Sequence, residues 1–244
     1  MEFRRVARLA GGLAFVVLVG AACKAADDQP LVILEMRPPA TGMASSSGCG
    51  ESSFFVSSGV LDVGLLAAFP GHGYLSWPVV LNRELSNASQ NGGVESARVT
   101  VTGADVDLCF DAACTNMFGL LANEQHFRQT LYKVIDPQVM QPIAVELIPS
   151  TAAAKIAAAN PTLPLTATVS LKIVGRSNEL DVKSNTVQFA VNICSGCLVH
   201  SLGTCSTTTV AVNAGSCNPV QDSLIDCCTN STGGTVCPAH APTP

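Results

Sequence analysis

The first 22 residues constrain how everything after them is interpreted, because their pattern indicates the compartment in which the chain folds. Arg4, Arg5 and Arg8 precede an uncharged apolar run of 14 residues, Leu9 to Ala22, which ends in Gly20-Ala21-Ala22. A cationic region followed by an apolar region and small residues is typical of a secretory signal peptide. At ~1.5 Å per residue the run covers only ~21 Å of a hydrocarbon core ~30 Å thick, which argues against a permanent transmembrane helix.

The cysteine that follows this run indicates a lipid anchor. Gly20-Ala21-Ala22-Cys23 resembles the lipobox of bacterial lipoproteins, although that family prefers leucine where Gly20 stands. The resemblance implies that Cys23 becomes the mature N-terminus and carries acyl chains such as palmitate, which anchor the protein in a membrane. Lys24 replaces the aspartate that marks inner-membrane retention, so the resemblance favours the outer membrane, on its periplasmic or surface face. The competing interpretation is ordinary cleavage after Ala22 or Ala26, which leaves a soluble secreted or periplasmic protein.

The charge balance of the mature chain is acidic. Removing residues 1–22 takes away three arginines and one glutamate and leaves 10 Lys and Arg against 17 Asp and Glu, a net charge of −7. An acidic chain without a basic block is not expected to bind nucleic acid. The 222 residues that remain are enough for one large β domain with a small appendage.

Eleven cysteines are the strongest compositional signal. With Cys23 set aside, ten remain, and in an exported protein they predict up to five disulfides. These ten are Cys49, Cys109, Cys114, Cys194, Cys197, Cys205, Cys217, Cys227, Cys228 and Cys237. If Cys109 pairs with Cys114, the seven cysteines of the C-terminal block are odd in number, so one of them must pair with Cys49. Cys227 and Cys228 are adjacent and should have different partners.

Alternation of apolar and polar residues predicts an antiparallel β-sandwich. The clearest strands are Thr166–Val174 and Thr186–Ile193, which we expect to be antiparallel neighbours with Phe189 facing the core. The apolar residues of the strand stand at odd-numbered positions before Gly103 and at even-numbered positions after it. This change predicts a β-bulge at Gly103. Pro78 predicts that the strand Tyr74–Leu81 lies at an edge or a bulge.

The sequence also predicts three further strands, a polar loop and one helix, and it leaves one region open. Strands are expected at Leu31–Met36, at Phe54–Leu66 and at Pro142–Pro149, with a polar loop over 175–185. A helix is expected at Ala152–Ala159, capped by Ser150 or Thr151. Residues 115–135 have mixed periodicity, and both a short helix and a loop leading to a strand at 131–135 fit them.

These patterns divide the chain into four parts. They are a signal peptide over 1–22, a lipidated N-terminus and tether over 23–30, a sandwich over 31–193 and a cysteine-rich segment over 194–244. We expect roughly seven to nine strands in an immunoglobulin-like or fibronectin-like architecture. A true immunoglobulin domain is disfavoured, because Trp77 lies too far from Cys49 and no tyrosine stands two residues before Cys109.

The cysteine-rich segment has three interpretations. Cys194-x-x-Cys197 has the spacing of a redox motif, but that chemistry requires a helix after the first cysteine, and Leu198 to Gly203 is a poor helix former. Spaced cysteines also bind Zn²⁺ in zinc ribbons. Behind a signal peptide, structural disulfides are the favoured interpretation, because so short a segment cannot build its own hydrophobic core.

Searches for a catalytic or metal site in the sequence give no assignment. There is no Gly-x-Ser-x-Gly, no His-Glu-x-x-His and no phosphate-binding glycine loop. The four histidines, His72, His126, His200 and His240, are isolated from one another. Asp105, Asp107 and Asp111 have a spacing that can hold Ca²⁺ at a strand end, but a solvated outer face is the favoured interpretation. We therefore predict no catalytic residue, cofactor or metal.

The sequence therefore predicts a non-enzymatic, lipid-anchored cell-envelope protein with a binding or structural role. It is similar to envelope lipoproteins of Gram-negative bacteria, without a match to one named family. Its expected contacts are the membrane, through the lipidated N-terminus, and other envelope proteins; ligand and oligomeric state stay open. The alternatives are an exported hydrolase whose site forms only in three dimensions, which a deep pocket with two or more titratable groups would favour, and a metal-binding module.

Overall fold

The computed structural model describes residues 29–40, 49–87, 89, 93, 97–115, 117–159, 161–205 and 217–237. The predicted signal peptide over 1–22, Cys23 and His240 lie outside these ranges. Within them the chain is mostly β, and the predicted all-β class is confirmed. None of the helices in this part of the chain has the length and apolar character needed to cross a bilayer.

The described residues form thirteen strands, one 3₁₀ helix and two short α-helices. The first half consists of β1 (Leu31–Arg37), β2 (Ser58–Asp62), the 3₁₀ helix (Val63–Ala67), β3 (Tyr74–Asn82), β4 (Val99–Cys109), α1 (Ala122–Gln125) and β5 (His126–Ile135). The second half consists of β6 (Met140–Pro142), β7 (Val145–Ile148), α2 (Ser150–Ala159), β8 (Leu165–Ser177), β9 (Leu180–Lys183), β10 (Val187–Cys194), β11 (Val199–Thr204), β12 (Ile225–Thr229) and β13 (Thr235–Val236).

Two sheets face each other across one hydrophobic core. In the first sheet β3 is central, with β1 on one side and β6 and β7 on the other. The second sheet has the order β2-β10-β8-β4-β5, and β9 pairs with the end of β8. The pairings within the two sheets are antiparallel except that of β2 with β10. A small third sheet, β11-β12-β13, belongs to the cysteine-rich segment.

The predicted pairing of the two best-patterned strands is confirmed. β8 and β10 are antiparallel neighbours, with Phe189 opposite Val169 and Val191 opposite Ala167. These side chains are buried in the same hydrophobic cluster as residues of the first sheet, and Phe189 is only 2% exposed. Because alternate side chains of a strand point to opposite faces, a period of two in the sequence is enough to place this face inside.

The bulge predicted at Gly103 is also confirmed. The register of β4 shifts between Val101 and Gly103 in its pairing with β5 and again in its pairing with β8. The shift moves the buried positions from Val99 and Val101 to Ala104 and Val106. A Cβ atom at Gly103 would lie 2.7 Å from the carbonyl oxygen of Gln129, so the bulge brings the two backbones too close for a side chain.

The edge alternative for Pro78 is wrong, because β3 is the central strand of its sheet. The bulge alternative agrees with a register shift between Ile33 and Glu35 of β1, which lies next to the Met36–Pro78 pair. On one side Pro78 lies opposite Met36 of β1. On the other side β7 pairs with Tyr74 to Ser76 and β6 pairs with Val79 to Leu81, so Pro78 falls at the break between these two strands. A proline is tolerated there because no neighbour on that side requires its missing N–H group.

Four other segments refine the sequence-based expectations. Only Ser58–Asp62 of the expected strand Phe54–Leu66 is extended, since the 3₁₀ helix follows it. The ambiguous region 115–135 contains both the four-residue helix α1 and the ten-residue strand β5. Helix α2 begins at Ser150 itself, whose N–H group donates 3.1 Å to the carboxylate of Glu146. The polar loop over 175–185 contains β9, which forms a hairpin with β8.

The sandwich has two distinct ends. At the first, which we call the tether end, β1 begins at Leu31 opposite Asn82, and the Asn82 amide donates to the carbonyl oxygen of Ile135 in the other sheet. At the opposite end, which we call the far end, β1 finishes near Trp77 and β4 finishes at Cys109. The cysteine-rich segment packs at the far end, where Val220 and Ile225 join the hydrophobic core.

Candidate functional site

All ten candidate disulfide cysteines are paired in the structure. The pairs are Cys49–Cys217, Cys109–Cys114, Cys194–Cys197, Cys205–Cys228 and Cys227–Cys237. Cys49 thus joins the early loop to the C-terminal block, as parity requires, and the adjacent cysteines have different partners. The Cys49–Cys217 disulfide holds the cysteine-rich segment against the sandwich, and so does Val220, which packs in the hydrophobic core.

The Cys194–Cys197 loop lies against a buried carboxylate. The Asp62 side chain, which is 0% exposed, accepts backbone hydrogen bonds from Gly196 at 2.8 Å and Leu198 at 2.9 Å. It also accepts one from Gly64 at 2.9 Å. Asp62, Cys194 and Cys197 place their ligand atoms within 4.8 Å of one another. The two sulfurs are bonded to each other, however, so an intact disulfide leaves no thiolate for a metal.

A solvent-open cleft of about 280 Å³ lies at the far end and is the candidate binding site. Its walls come from separate parts of the chain: Gly71, His72, Gly73, Leu75, Gln129, Glu146, Asn218 and the Cys49–Cys217 disulfide. Gly73 permits the close packing behind it, since a Cβ atom there would meet the backbone of Ile148 and Ser150. The lining therefore combines two titratable side chains with amide groups and a rigid covalent edge.

Glu146 is the electrostatically distinctive residue of the cleft. Burial raises the pKa of its carboxyl group above the ordinary value, and the hydrogen bond from the Ser150 backbone lowers it in part. The Glu146 backbone N–H donates 2.9 Å to the side-chain oxygen of Gln129, which fixes β7 against β5. A half-buried carboxyl group with a raised pKa can act as a hydrogen-bond donor or as a general acid.

A buried network of hydrogen bonds fixes residues that line the cleft. Asn218 donates to the carbonyl oxygen of Gly73 at 2.8 Å, and Gln221 bonds both backbone groups of Leu75. Gln221 also donates to Asp222, whose carboxylate accepts from the hydroxyl group of Tyr74 at 2.7 Å. The network fixes the lining residues Leu75 and Asn218 to the cysteine-rich segment.

The acidic residues considered as calcium ligands have other partners. Asp105 forms two hydrogen bonds with Arg128 across β4 and β5, at 2.6 and 3.0 Å, and this contact lowers the pKa of the carboxyl group. Asp107 contacts His126 at 2.9 Å in the same way. Asp111 accepts from the backbone and hydroxyl groups of Thr115. The three carboxylates therefore bond to partners of this chain on the outer face of β4 and β5 and in a turn.

The remaining histidines do not converge among the described residues. His200 contacts Asp226 at 2.7 Å across β11 and β12, away from His72 in the cleft.

Sequence reasoning missed Gln129, Glu146 and Asn218 as site residues, because each comes from a different element and none carries a motif. Of the lining residues, the sequence singles out only His72, as an isolated histidine, and Cys49 and Cys217, as disulfide candidates. No known protein family, curated protein or solved structure matches the chain.

Proposed function

We propose that this chain is a non-enzymatic, lipid-anchored protein of the cell envelope, held in the outer membrane through acylated Cys23, with a binding role carried by the far-end cleft. One observation supports the anchor above all others. The five disulfides use every cysteine of the sequence except Cys23. Cys23 is therefore left for a different chemistry, and it stands at the end of the lipobox-like segment.

The covalent framework also supports export. Disulfides form and persist in oxidising compartments, and are rare in a reducing cytosol. Five of them in one chain, one spanning 168 residues, stabilise a fold whose C-terminal segment has little core of its own. The framework and the signal peptide thus give the same compartment from independent properties of the chain.

The cleft supports a binding role because of its place and its lining. It lies at the far end of the sandwich, away from Leu31, where the tether enters. Amide groups, a histidine and a carboxyl group with a raised pKa lie in its wall beside Leu75 and the disulfide, and these polar groups can exchange hydrogen bonds with a ligand. We expect the ligand to be an exposed polar group of another envelope component.

Acyl labelling tests the anchor. Cells that express the wild type or Cys23→Ala are grown with labelled palmitate, and the purified proteins are compared. We expect label in the wild type only, in an outer-membrane fraction. Cys49→Ala is the matched control, because it also removes one cysteine but should keep the label. Equal label in wild type and Cys23→Ala would refute the anchor.

Site-specific crosslinking tests the binding role. A photoreactive residue replaces His72 in the cleft or Gln188, an exposed residue of β10 remote from it. We expect a discrete crosslinked partner from position 72 and not from position 188. The same products from both positions, or none from position 72, would contradict a binding role for the cleft.

A second candidate, an exported hydrolase, is favoured by the two titratable side chains of the cleft, His72 and Glu146. The raised pKa of Glu146 suits a general acid. Purified wild type and Glu146→Gln are compared on ester, glycoside and peptide substrates. Hydrolysis that is lost in Glu146→Gln would support this candidate, whereas no hydrolysis, or equal hydrolysis by both proteins, would exclude that role for Glu146.

A further inference from the structure

Four large aliphatic side chains are exposed at the tether end. Leu85 is 77% exposed, Leu180 71%, Met140 59% and Val139 37%. Single exposed apolar residues are ordinary on a protein surface, so their number alone carries no information. What distinguishes these four, which we call the apolar patch, is that they come from three loops that are bound to one another.

Hydrogen bonds join the first two loops. The Gln138 side chain donates to the carbonyl oxygens of Arg83 at 2.7 Å and Glu84 at 3.0 Å. The backbone N–H of Asn82 donates to the carbonyl oxygen of Val139 at 3.1 Å. The turn that carries Val139 and Met140 is therefore fixed beside the segment that leads to Leu85.

The third loop is the β8–β9 hairpin. The hydroxyl group of Ser177 donates to the Glu84 carboxylate at 3.0 Å, and Ser177 lies opposite Leu180 in the hairpin. The hairpin is thereby bound to the same segment as the other two loops. Leu180 lies at the same end of the sandwich as Leu85 for this reason.

The tether enters at this end. The carbonyl oxygen of Pro30 accepts from the N–H group of Arg83 at 2.7 Å, so the described chain starts beside the loop that leads to Leu85. The seven residues 24–30 reach at most ~25 Å when fully extended. If Cys23 is acylated, Leu31 cannot lie farther than this from the bilayer surface, which is less than the ~44 Å of a thirteen-residue strand such as β8.

Charged side chains at the tether end are paired with one another, and the described ones do not form a site for an anionic headgroup. Arg98 pairs with Asp136 at 2.6 Å, and Arg176 lies 3.6 Å from Asp181. Among the residues that the structure describes, positive and negative side chains are thus interleaved around the apolar patch, without a block of one sign. Attraction to anionic headgroups would require such a block, so contact with the membrane here would come from burial of apolar surface.

We propose that the apolar patch inserts into the interfacial layer of the bilayer in which Cys23 is anchored, and holds the sandwich upright with the cleft facing away. The proposal rests on the lipid anchor proposed above. The occupant of the patch is a lipid surface, because the short tether keeps the patch near the bilayer and its own charges are balanced.

Fluorescence quenching tests this contact. The full chain, purified from membranes, is reconstituted in vesicles of phosphatidylethanolamine and phosphatidylglycerol that contain a brominated phospholipid. Leu180→Trp and Leu85→Trp place a reporter in the patch, and Phe55→Trp, exposed near the far end, is the matched control. The single native tryptophan, Trp77, is buried and contributes the same background to each variant.

We expect a loss of fluorescence from Leu180→Trp and Leu85→Trp and none from Phe55→Trp. Acylated protein in which all three variants keep their fluorescence would overturn the proposal and leave the anchor intact. A blue shift in the patch variants without quenching would assign the patch to a second protein copy and would also overturn it. If acyl labelling fails, the same variants are added to preformed vesicles. Quenching would then support membrane contact without the anchor, and its absence would refute both proposals.

Discussion

The hydroxyl group of Tyr74 donates a 2.7 Å hydrogen bond to the carboxylate of Asp222, which lies 148 residues later in the chain. The bond joins the start of β3 to the cysteine-rich segment. Burial raises the pKa of Asp222, although hydrogen bonds from Val60, Tyr74 and Gln221 oppose the shift. Burial, and then the charge of Asp222, also raise the pKa of Tyr74 well above its ordinary value.

The raised pKa predicts a pH dependence of stability. The native protein binds the Asp222 proton more tightly than the unfolded chain does, so this contribution to the free energy of unfolding is fully present below the unfolded pKa, near ~3.9. It is lost as the pH rises through the folded pKa. In Asp222→Asn this titration is absent, so the difference in unfolding free energy between wild type and variant should decrease as the pH rises.

Asp222→Asn should also lower stability by about 1–3 kcal/mol, because an amide has one acceptor oxygen and cannot accept from Val60 on one side and from Tyr74 and Gln221 on the other. Asparagine tolerates the positive φ of 57° at this position, so backbone strain does not contribute. Urea unfolding of both proteins over a range of pH measures these effects. A difference that stays constant with pH would show that Asp222 does not titrate as described.

Gly59→Ala should destabilise the protein by about 1–3 kcal/mol, because a Cβ atom at Gly59 would overlap the phenol ring of Tyr74. Gly50→Ala is the matched control, since nothing lies within 4 Å of its Cβ position. We expect Gly50→Ala to change stability by less than about 0.5 kcal/mol. Midpoints of urea unfolding compare the two variants, and equal midpoints would contradict the close packing of Gly59.

Two disulfides of very different span, Cys49–Cys217 and Cys109–Cys114, should differ in their contribution to stability. Cys49→Ala/Cys217→Ala releases a loop of 168 residues, and the chain-entropy relation gives a loss of about 5 kcal/mol. Cys109→Ala/Cys114→Ala releases a loop of five, for which the relation gives about 2 kcal/mol. Both double variants leave no unpaired thiol. Thermal unfolding shows which double variant loses more stability. A larger loss from Cys109→Ala/Cys114→Ala would contradict the role of Cys49–Cys217 as the disulfide that stabilises the fold most.

Phe189→Ala should lower the free energy of unfolding by about 3–5 kcal/mol, since it removes a buried ring from the core. The ring of Phe189 lies 6.0 Å from that of Tyr74, so the loss also loosens the contact between the two sheets. Phe55→Ala is the control, because Phe55 is 69% exposed. Urea unfolding should give a loss below about 0.5 kcal/mol for the control, and comparable losses in both variants would be inconsistent with this core.

The sequence by itself determined the features that depend on local pattern or on counting. The period of two along Thr166–Val174 and Thr186–Ile193 identified the buried face, because the alternation of side chains is a property of the strand itself. The phase change at Gly103 located the bulge for the same reason. Given a Cys109–Cys114 pair, parity required a bond from Cys49 to the C-terminal block, because the seven cysteines of that block are odd in number.

Only the tertiary structure decided features that depend on neighbours distant in the chain. Pro78 lies in a central strand because β6 and β7 happen to break beside it, and nothing local to the proline encodes that break. The cleft brings His72, Glu146 and Asn218 together from positions far apart, and the pKa of Glu146 is raised by burial that other segments supply. Local periodicity reports which way a side chain points, whereas burial and electrostatics depend on what the rest of the chain places around it.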